Sequence, residues 1–188
     1  MLAEQLKKDT LRSHQQLEKM LIGRMKAIRS KADYVELLQL FYTYFGGLEK
    51  QIDQYIDQNQ LSDYADRRKT QALANDIKTL GGIPMPKASN DDLPQIKNEL
   101  QAYAAMYVIE GSTLGGKIIS KMMTQQLSLN NGEGLSFFNG YGDDTETKWE
   151  SFKNTLNNIT KSPKEDKLVI DSANETFDKF KQWAEKHA

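Results

Sequence analysis

Apolar residues recur at helical spacing along almost the whole chain. The longest run lies between Ser30 and about Ile56, and its apolar positions are Tyr34, Leu37, Leu38, Phe41, Tyr44, Phe45, Leu48, Ile52 and Tyr55. No segment alternates apolar and polar residues in the manner of a β-strand. The pattern therefore predicts an all-α fold, with Ser30 as the N-cap of its main packing helix.

The same periodicity predicts further helices before and after this one. They run from Leu2 to about Leu21, from about Arg67 to Leu80, from about Leu93 to Gln126, from about Thr145 to Ile159 and from about Lys164 to Lys186. The polar cluster 89–92 is expected to cap the helix that starts at about Leu93. Residues 127–144 are rich in asparagine and glycine, which predicts a loop with Phe137 and Phe138 turned inward.

Length and charge limit what the protein can be. With 188 residues the chain suits a single domain, expected to cover residues 1–188. Its 25 basic and 26 acidic residues argue against a nucleic-acid footprint or a polybasic membrane anchor. No apolar run approaches the roughly 20 residues of a membrane span, and the N-terminus lacks the apolar core of a signal peptide. We expect a soluble, cytoplasmic protein with no nucleic-acid or membrane partner.

The chain has no cysteine and two histidines. The missing cysteines exclude disulfides, thiolate nucleophiles and thiolate-held metal groups. Of the two histidines, His187 is the penultimate residue, in a region where chains usually fray. If an imidazole ring takes part in chemistry, His14 is therefore the candidate.

His14 continues the four-residue rhythm of the first helix, which places it on the predicted buried stripe. Lys7 precedes it by two turns, and Glu18 follows it by one. A carboxylate at that spacing can accept, directly or through water, the second ring N–H of a histidine whose other nitrogen binds a ligand. A core histidine beside an ordinary surface glutamate is the commoner arrangement, and both interpretations stand at this point.

A glycine-rich run, Glu110–Lys117, interrupts the helix predicted from about Leu93 to Gln126. Each interior glycine costs about 1 kcal/mol relative to alanine, so the run needs a compensating role. The small residues Gly111 and Gly115 are four apart, as are Ser112 and Gly116, so all four share one helix face. A bare face of this kind allows close contact with another helix, the more frequent case, or with a flat ligand.

Together these features resemble the heme oxygenase family over nearly the whole chain. The segment Leu6-Lys7-x-x-Thr10-x-x-x-His14-x-x-x-Glu18 is similar to the family's proximal helix. The run from Gly111 to Gly116 is similar to its distal helix, whose glycines let the backbone lie across the heme face. Aligning on the proline at 163 places Lys153 and Phe177 at heme-contacting positions of the family.

The resemblance implies a role for each of these residues. His14 would be the axial iron ligand, Glu18 would support it, Lys7 and Lys153 would bind the heme propionates, and Phe177 would line the pocket. The distal residues that it implies are Gly111, Ser112, Gly115 and Gly116. The implied fold is a single domain that holds heme between a proximal helix and a glycine-kinked distal helix.

Two positions depart from the family's pattern. Ser112 stands where many members have an aspartate that orients distal water, although some bacterial members have a small hydroxyl there. Trp149 stands where some members have a second basic propionate partner, and Lys148 is adjacent to it. These departures concern the distal hydrogen bonds and the in-plane orientation of the heme.

The resemblance implies an enzyme that opens heme to biliverdin, carbon monoxide and ferrous iron with dioxygen. Heme would be both cofactor and substrate. Electrons would come from a partner such as a ferredoxin or a flavoprotein reductase, because the chain has no dinucleotide-binding motif. The alternatives are a non-catalytic heme carrier or sensor of the same fold, a thiamine-degrading relative, whose usual cysteine nucleophile is missing here, and an all-α scaffold whose glycines serve helix packing.

Overall fold

The computed structural model describes residues 1–188 as an all-α fold, which confirms the predicted fold class. Its helices are α1 (Leu2–Asp9), α2 (Leu11–Ala27), α3 (Lys31–Ile52), α4 (Gln71–Thr79), α5 (Glu99–Gly111), α6 (Thr113–Leu127), α7 (Thr145–Ile159) and α8 (Pro163–Lys186). Short 3-10 turns lie at Tyr64–Asp66, Asn90–Asp92 and Gly142–Asp144. None of the helices has both the length and the apolar character needed to cross a membrane.

Helices α3, α5 and α8 form the centre of the core. The Tyr44 ring of α3 stacks on the Phe180 ring of α8 with 4.6 Å between ring centroids, and its hydroxyl donates a hydrogen bond to the Thr176 carbonyl oxygen at 2.6 Å. Helix α5 packs along α8 and against α3. Ser30 caps α3 as predicted, because its side chain accepts a hydrogen bond from the Asp33 backbone N–H. This rigid core carries the helices of the candidate site.

The first predicted helix is divided in two. It breaks at Thr10, where φ is −100° and ψ is −2°, and α2 then continues to Ala27 rather than ending near Leu21. The buried Thr10 hydroxyl donates a hydrogen bond to the Leu6 carbonyl oxygen at 2.6 Å. Such a side-chain bond to the preceding turn competes with regular helix geometry, which accounts for the break.

The glycine-bearing helix begins later than predicted. The 89–92 cluster forms a separate 3-10 turn, and α5 starts at Glu99 behind an Asn98 cap, whose side chain accepts a hydrogen bond from the Gln101 N–H at 3.0 Å. The segment before Asn98 contains Pro94, which disfavours helical geometry in the residue before it. Helix α4 also starts later, at Gln71, so that Arg67 and Arg68 lie in the non-helical segment before it.

Candidate functional site

The glycine-rich run contains a helix break. Helix α5 ends at Gly111 and α6 begins at Thr113, so the helix predicted to kink at the glycine run is divided there into two helices. At the junction the Ser112 hydroxyl donates to the Ile109 carbonyl oxygen and the Thr113 hydroxyl to the Glu110 carbonyl oxygen, both at 2.6 Å. These side-chain bonds and the glycines favour a bend at this point.

The three glycines of the run have different surroundings. A side chain added at Gly115 would meet no atom within 4 Å, and one added at Gly111 would approach only the Trp149 ring, at 3.7 Å. A Cβ at Gly116 would lie 1.9 Å from the Phe138 carbonyl oxygen. Gly116 therefore lets the helix pack on the 127–144 loop, which corrects its predicted place on the open face. Gly111 and Gly115 are the glycines with open space.

Large apolar side chains beside Gly115 and His14 are exposed. Leu114 and Ile118 of α6 are 44% and 68% exposed, and Leu11 of α2 is 47% exposed. Scattered exposed apolar residues are ordinary, but here they occur on the two helices that carry the candidate residues. This placement suits contact with an apolar ligand.

His14 is exposed, so its predicted place on a buried stripe is wrong. The buried stripe of α2 starts one turn later, with Leu17 and Leu21, where α2 packs on α8. His14 lies in the first turns after the break at Thr10 and has Phe177 of α8 on one side, with 5.4 Å between the ring centroids. The structure thus brings together two of the predicted site residues, His14 and Phe177.

The other histidine ring is engaged within the protein. His187 Nδ1 lies 2.8 Å from the Trp183 carbonyl oxygen, and the two rings are 4.0 Å apart. His14 has no such hydrogen bond. Glu18 is exposed and lines a shallow groove of α2 beside Lys19, with no direct hydrogen bond to His14. The bond through water stays a prediction.

The two predicted propionate-binding lysines differ in environment. Lys7 is exposed near the end of α1. Lys153 is half-buried, and its Nζ lies 2.6 Å from Glu150 Oε1 and 5.9 Å from the centroid of the Trp149 ring. Trp149 itself packs against the Tyr107 ring at 5.5 Å, and its edge faces Gly111. Lys153 and Trp149 therefore belong to the same side of the molecule as the start of the bend.

A buried ionic network beside the bend was not predicted from the sequence. Arg67 Nη1 lies 2.7 Å from Glu110 Oε2, and the two side chains are 1% and 2% exposed. Arg67 also bonds Asp63 at 2.9 Å, and Asp63 bonds Lys148 at 2.8 Å. The available sequence signal was Glu110, an acidic residue directly after the apolar run 102–109, because a buried charge requires a partner.

Tyr141 extends this network to the neighbouring arginine. Its hydroxyl donates to the Glu110 carboxylate at 2.9 Å and accepts a hydrogen bond from the Arg68 backbone N–H at 2.9 Å. Burial, and then the charge of Glu110, raise the pKa of Tyr141 above its ordinary value. Tyr141 therefore stays a neutral phenol and ties the 127–144 loop to the end of α5.

The network makes part of the stability dependent on pH. Burial tends to raise the pKa of Asp63, but the hydrogen bonds from Lys148 and Arg67 and their charges outweigh it, so the pKa is lowered from 3.8. A carboxylate with a depressed folded-state pKa contributes stability that is present above its unfolded pKa and lost as the pH falls through its folded pKa.

We expect Asp63→Asn to lower the free energy of unfolding at pH 7. The difference in this free energy between the variant and the wild type should become smaller below about pH 4, near the ordinary pKa of aspartate. Urea unfolding of both proteins at pH 7 and at pH 3 measures this gap. Asp143→Asn, at an exposed aspartate, is the control. A gap of equal size at both pH values would show that charge on Asp63 does not contribute.

The residues described above on α2 and α6 have the chemistry to hold a flat, apolar, metal-centred group. An imidazole without a partner in the protein can bind a metal, an open glycine face admits a planar ring, and exposed leucine and isoleucine side chains can cover it. Fold and site thus define a class of all-α proteins with an imidazole-bearing helix and a bent glycine helix. Heme is a group of this kind.

Comparison with known proteins identifies the family. The family model described as Heme oxygenase matches residues 1–186, so the chain belongs to the heme oxygenase family. A curated relative from Xanthomonas campestris, named Heme oxygenase, is 29% identical over 98 residues, which cover 50% of this chain and 54% of that protein. The alignment thus spans about half the length of this relative.

Solved structures share the fold over the whole chain. The NO- and CO-bound heme oxygenase from Neisseria meningitidis has a TM-score of 0.84 at 23% identity, covering 100% of this chain and 92% of that one. Heme oxygenase from Leptospira interrogans has a TM-score of 0.80 at 21% identity, covering 98% of each chain. Heme oxygenase-1 from Synechocystis, in complex with heme, has a TM-score of 0.76 at 20% identity, covering 98% and 91%.

Proposed function

We propose that this protein is a heme oxygenase, which opens heme to biliverdin, carbon monoxide and ferrous iron with dioxygen. Membership of the heme oxygenase family supports the activity. The observation that carries the proposal to this chain is the pairing of an unbonded His14 ring beside Phe177 with an open Gly115 face on α6. When bound, heme supplies both the iron that activates dioxygen and the ring that is oxidised.

His14 is the proposed iron ligand. Histidine is a common ligand of heme iron, and the His14 ring nitrogens are free of protein partners, whereas His187 Nδ1 lies 2.8 Å from the Trp183 carbonyl oxygen. Phe177 supports one side of the His14 ring and would restrict its rotation. Glu18, one turn later, can reach the ring through a water, because the direct bond is not formed.

On the opposite face, Gly111 and Gly115 would let the backbone approach the heme closely. A Cβ at Gly115 would meet no atom within 4 Å, and one at Gly111 would meet only the Trp149 ring, at 3.7 Å. Ser112, between the two helices, presents a hydroxyl oxygen that can hold a water there. Gly116 supports this arrangement from behind, by its contact with Phe138.

Lys7 and Lys153 are the proposed partners of the heme propionates. Both carry ammonium groups at the solvent-accessible side of their helices. The Lys153 ammonium would leave Glu150 to bind a propionate, or would bind both carboxylates at once. Reducing equivalents would come from an external donor such as a ferredoxin or a flavoprotein reductase. The lack of a dinucleotide-binding motif in the chain supports an external source.

We expect Lys153→Ala to weaken heme binding by about fivefold, because a half-exposed ion pair contributes about 1 kcal/mol. Titration of the apoprotein with heme, followed by absorption, measures the effect. Lys167→Ala, which removes a comparable exposed ion pair with Asp171 on α8, is the matched control and should leave the affinity unchanged. If the Lys153 variant and the wild type bind heme with equal affinity, Lys153 does not take part in heme binding.

The proposed activity is tested by loading the protein with one equivalent of heme and adding a reductant under air. The Soret band should disappear while the absorption of biliverdin develops. A stable heme complex that survives reduction under air would favour the carrier or sensor instead. Failure to bind heme at all would contradict both functions.

A further inference from the structure

Arg68 occupies the junction of the two glycine-run helices. Its Nη2 donates to the Ile109 carbonyl oxygen at 2.7 Å and to Ser112 Oγ at 2.6 Å, and its Nη1 donates to the Phe137 carbonyl oxygen at 3.0 Å. The guanidinium carbon lies 3.7 Å from the centroid of the Phe137 ring. One arginine thus connects the last turn of α5, the residue at the bend and the 127–144 loop.

The Arg68 side chain is held as a charged group. Burial lowers its pKa to about 10, and the Glu110 charge opposes that shift, so Arg68 is protonated at neutral pH. Tyr141, bonded to the Arg68 backbone N–H, holds the segment from the other side. Arg68 Nε is buried without a partner in the protein, so the group is fixed by its two terminal nitrogens.

These bonds define what the Ser112 hydroxyl can do. An arginine can only donate and a carbonyl oxygen can only accept, so Ser112 Oγ accepts from Arg68 and uses its hydrogen on the Ile109 carbonyl oxygen. A hydroxyl has one hydrogen and two acceptor lone pairs. Its hydrogen and one lone pair are occupied, which leaves one lone pair. Ser112 can accept one further hydrogen bond and cannot donate one.

We propose that Arg68 is a positioning residue that fixes the bend and holds Ser112 Oγ as a hydrogen-bond acceptor for a water on the heme-facing side. The water then points one hydrogen at Ser112 and directs its lone pairs toward the ligand side. The position of this water next to heme rests on the proposed function. The fixing of the bend by Arg68 does not depend on it.

The bend is tested on the apoprotein with Arg68→Lys, which keeps the positive charge and cannot bond three acceptors in one plane. Amide hydrogen exchange in the last turn of α5, up to the Ser112 N–H that donates to the Val108 carbonyl oxygen at 3.2 Å, should accelerate by tenfold or more, while exchange in α8 stays unchanged. Unchanged exchange in this turn would overturn the proposal. This readout needs no heme, so it separates failure of this inference from failure of the proposed function.

The acceptor role of Ser112 is tested on the ferric heme complex by the pH midpoint between its acid and alkaline absorption spectra. A water held by Ser112 accepts a hydrogen bond from the ligand side and so opposes the loss of a proton there, and Ser112→Ala should therefore lower the midpoint by about 0.5–1 pH unit. The same substitution in the Arg68→Lys protein should shift it by less than half as much. Ser120→Ala is the control, because its hydroxyl is on the same helix and bonds Asn139.

Two outcomes would contradict the acceptor role. An upward shift in Ser112→Ala would mean that the hydroxyl donates, and no shift would mean that it holds no water at the heme. An equal downward shift in both backgrounds would mean that Ser112 acts without Arg68. Each outcome is independent of turnover by the enzyme.

Discussion

His14→Ala should abolish specific iron ligation while leaving the apoprotein folded. Alanine is the best helix former, and the exposed His14 ring contributes little beyond its contact with Phe177, so the helical circular dichroism should be retained. The heme complex should lose the low-spin ferrous carbonyl spectrum that an imidazole ligand produces, and biliverdin should no longer form. Absorption spectra of the two reduced, carbon monoxide-treated proteins measure the change.

Two companion experiments make the His14 result specific. Added imidazole should restore part of the spectrum and of the activity, because it can enter the space that the His14 side chain leaves. His187→Ala should behave as the wild type, because that ring packs on Trp183 at the end of α8. An unchanged heme spectrum in His14→Ala would refute the ligand assignment.

Gly115→Leu and Gly116→Ala should have opposite effects, although the two glycines are adjacent. At Gly115 a side chain meets no protein atom, and leucine improves helix propensity by up to about 1 kcal/mol, so the apoprotein should be as stable as the wild type or more so. The same side chain would fill the face proposed for heme. Heme affinity should fall by tenfold or more, a change of about 1.4 kcal/mol or more.

At Gly116 the added methyl group would lie 1.9 Å from the Phe138 carbonyl oxygen, so either the loop or the helix must move. Overpacking of this kind costs about 1–3 kcal/mol, which we expect as a loss in the free energy of unfolding. Urea unfolding and heme titration of both variants separate the effects. If Gly115→Leu loses stability but keeps its heme affinity, the glycine run serves helix packing and not heme binding.

The sequence predicted helix bounds well where capping residues and apolar spacing within the helix determine them. Helix α7 has the predicted bounds, Thr145–Ile159, and α8 begins one residue before the predicted Lys164, because a serine cap and a proline mark its start. The break at Thr10 was not predicted, and the predicted kink of the glycine run is a complete break at Ser112. Both depend on side-chain hydroxyls that bond carbonyl oxygens of the preceding turn. The periodic pattern of apolar residues does not show whether such a bond forms.

The candidate site was only partly predictable for the same reason. The residues of the glycine run and His14 carry a recognisable spacing, and the structure adds that Gly116 faces the 127–144 loop rather than the open side. Arg68 could not be found from spacing, because its partners Ile109, Ser112 and Phe137 are 41, 44 and 69 residues away along the chain. Contacts at such separations are fixed by the packing of α5 against the rest of the core.

The central claim is that this chain cleaves heme rather than merely holding it. The most direct measurement is the carbon monoxide released when the heme-loaded protein is reduced under air, captured by a hemoprotein reporter and compared with the heme consumed. We expect one carbon monoxide per heme, accompanied by biliverdin, and none from the His14→Ala protein. Heme that is retained, or bleached without release of carbon monoxide, would contradict it.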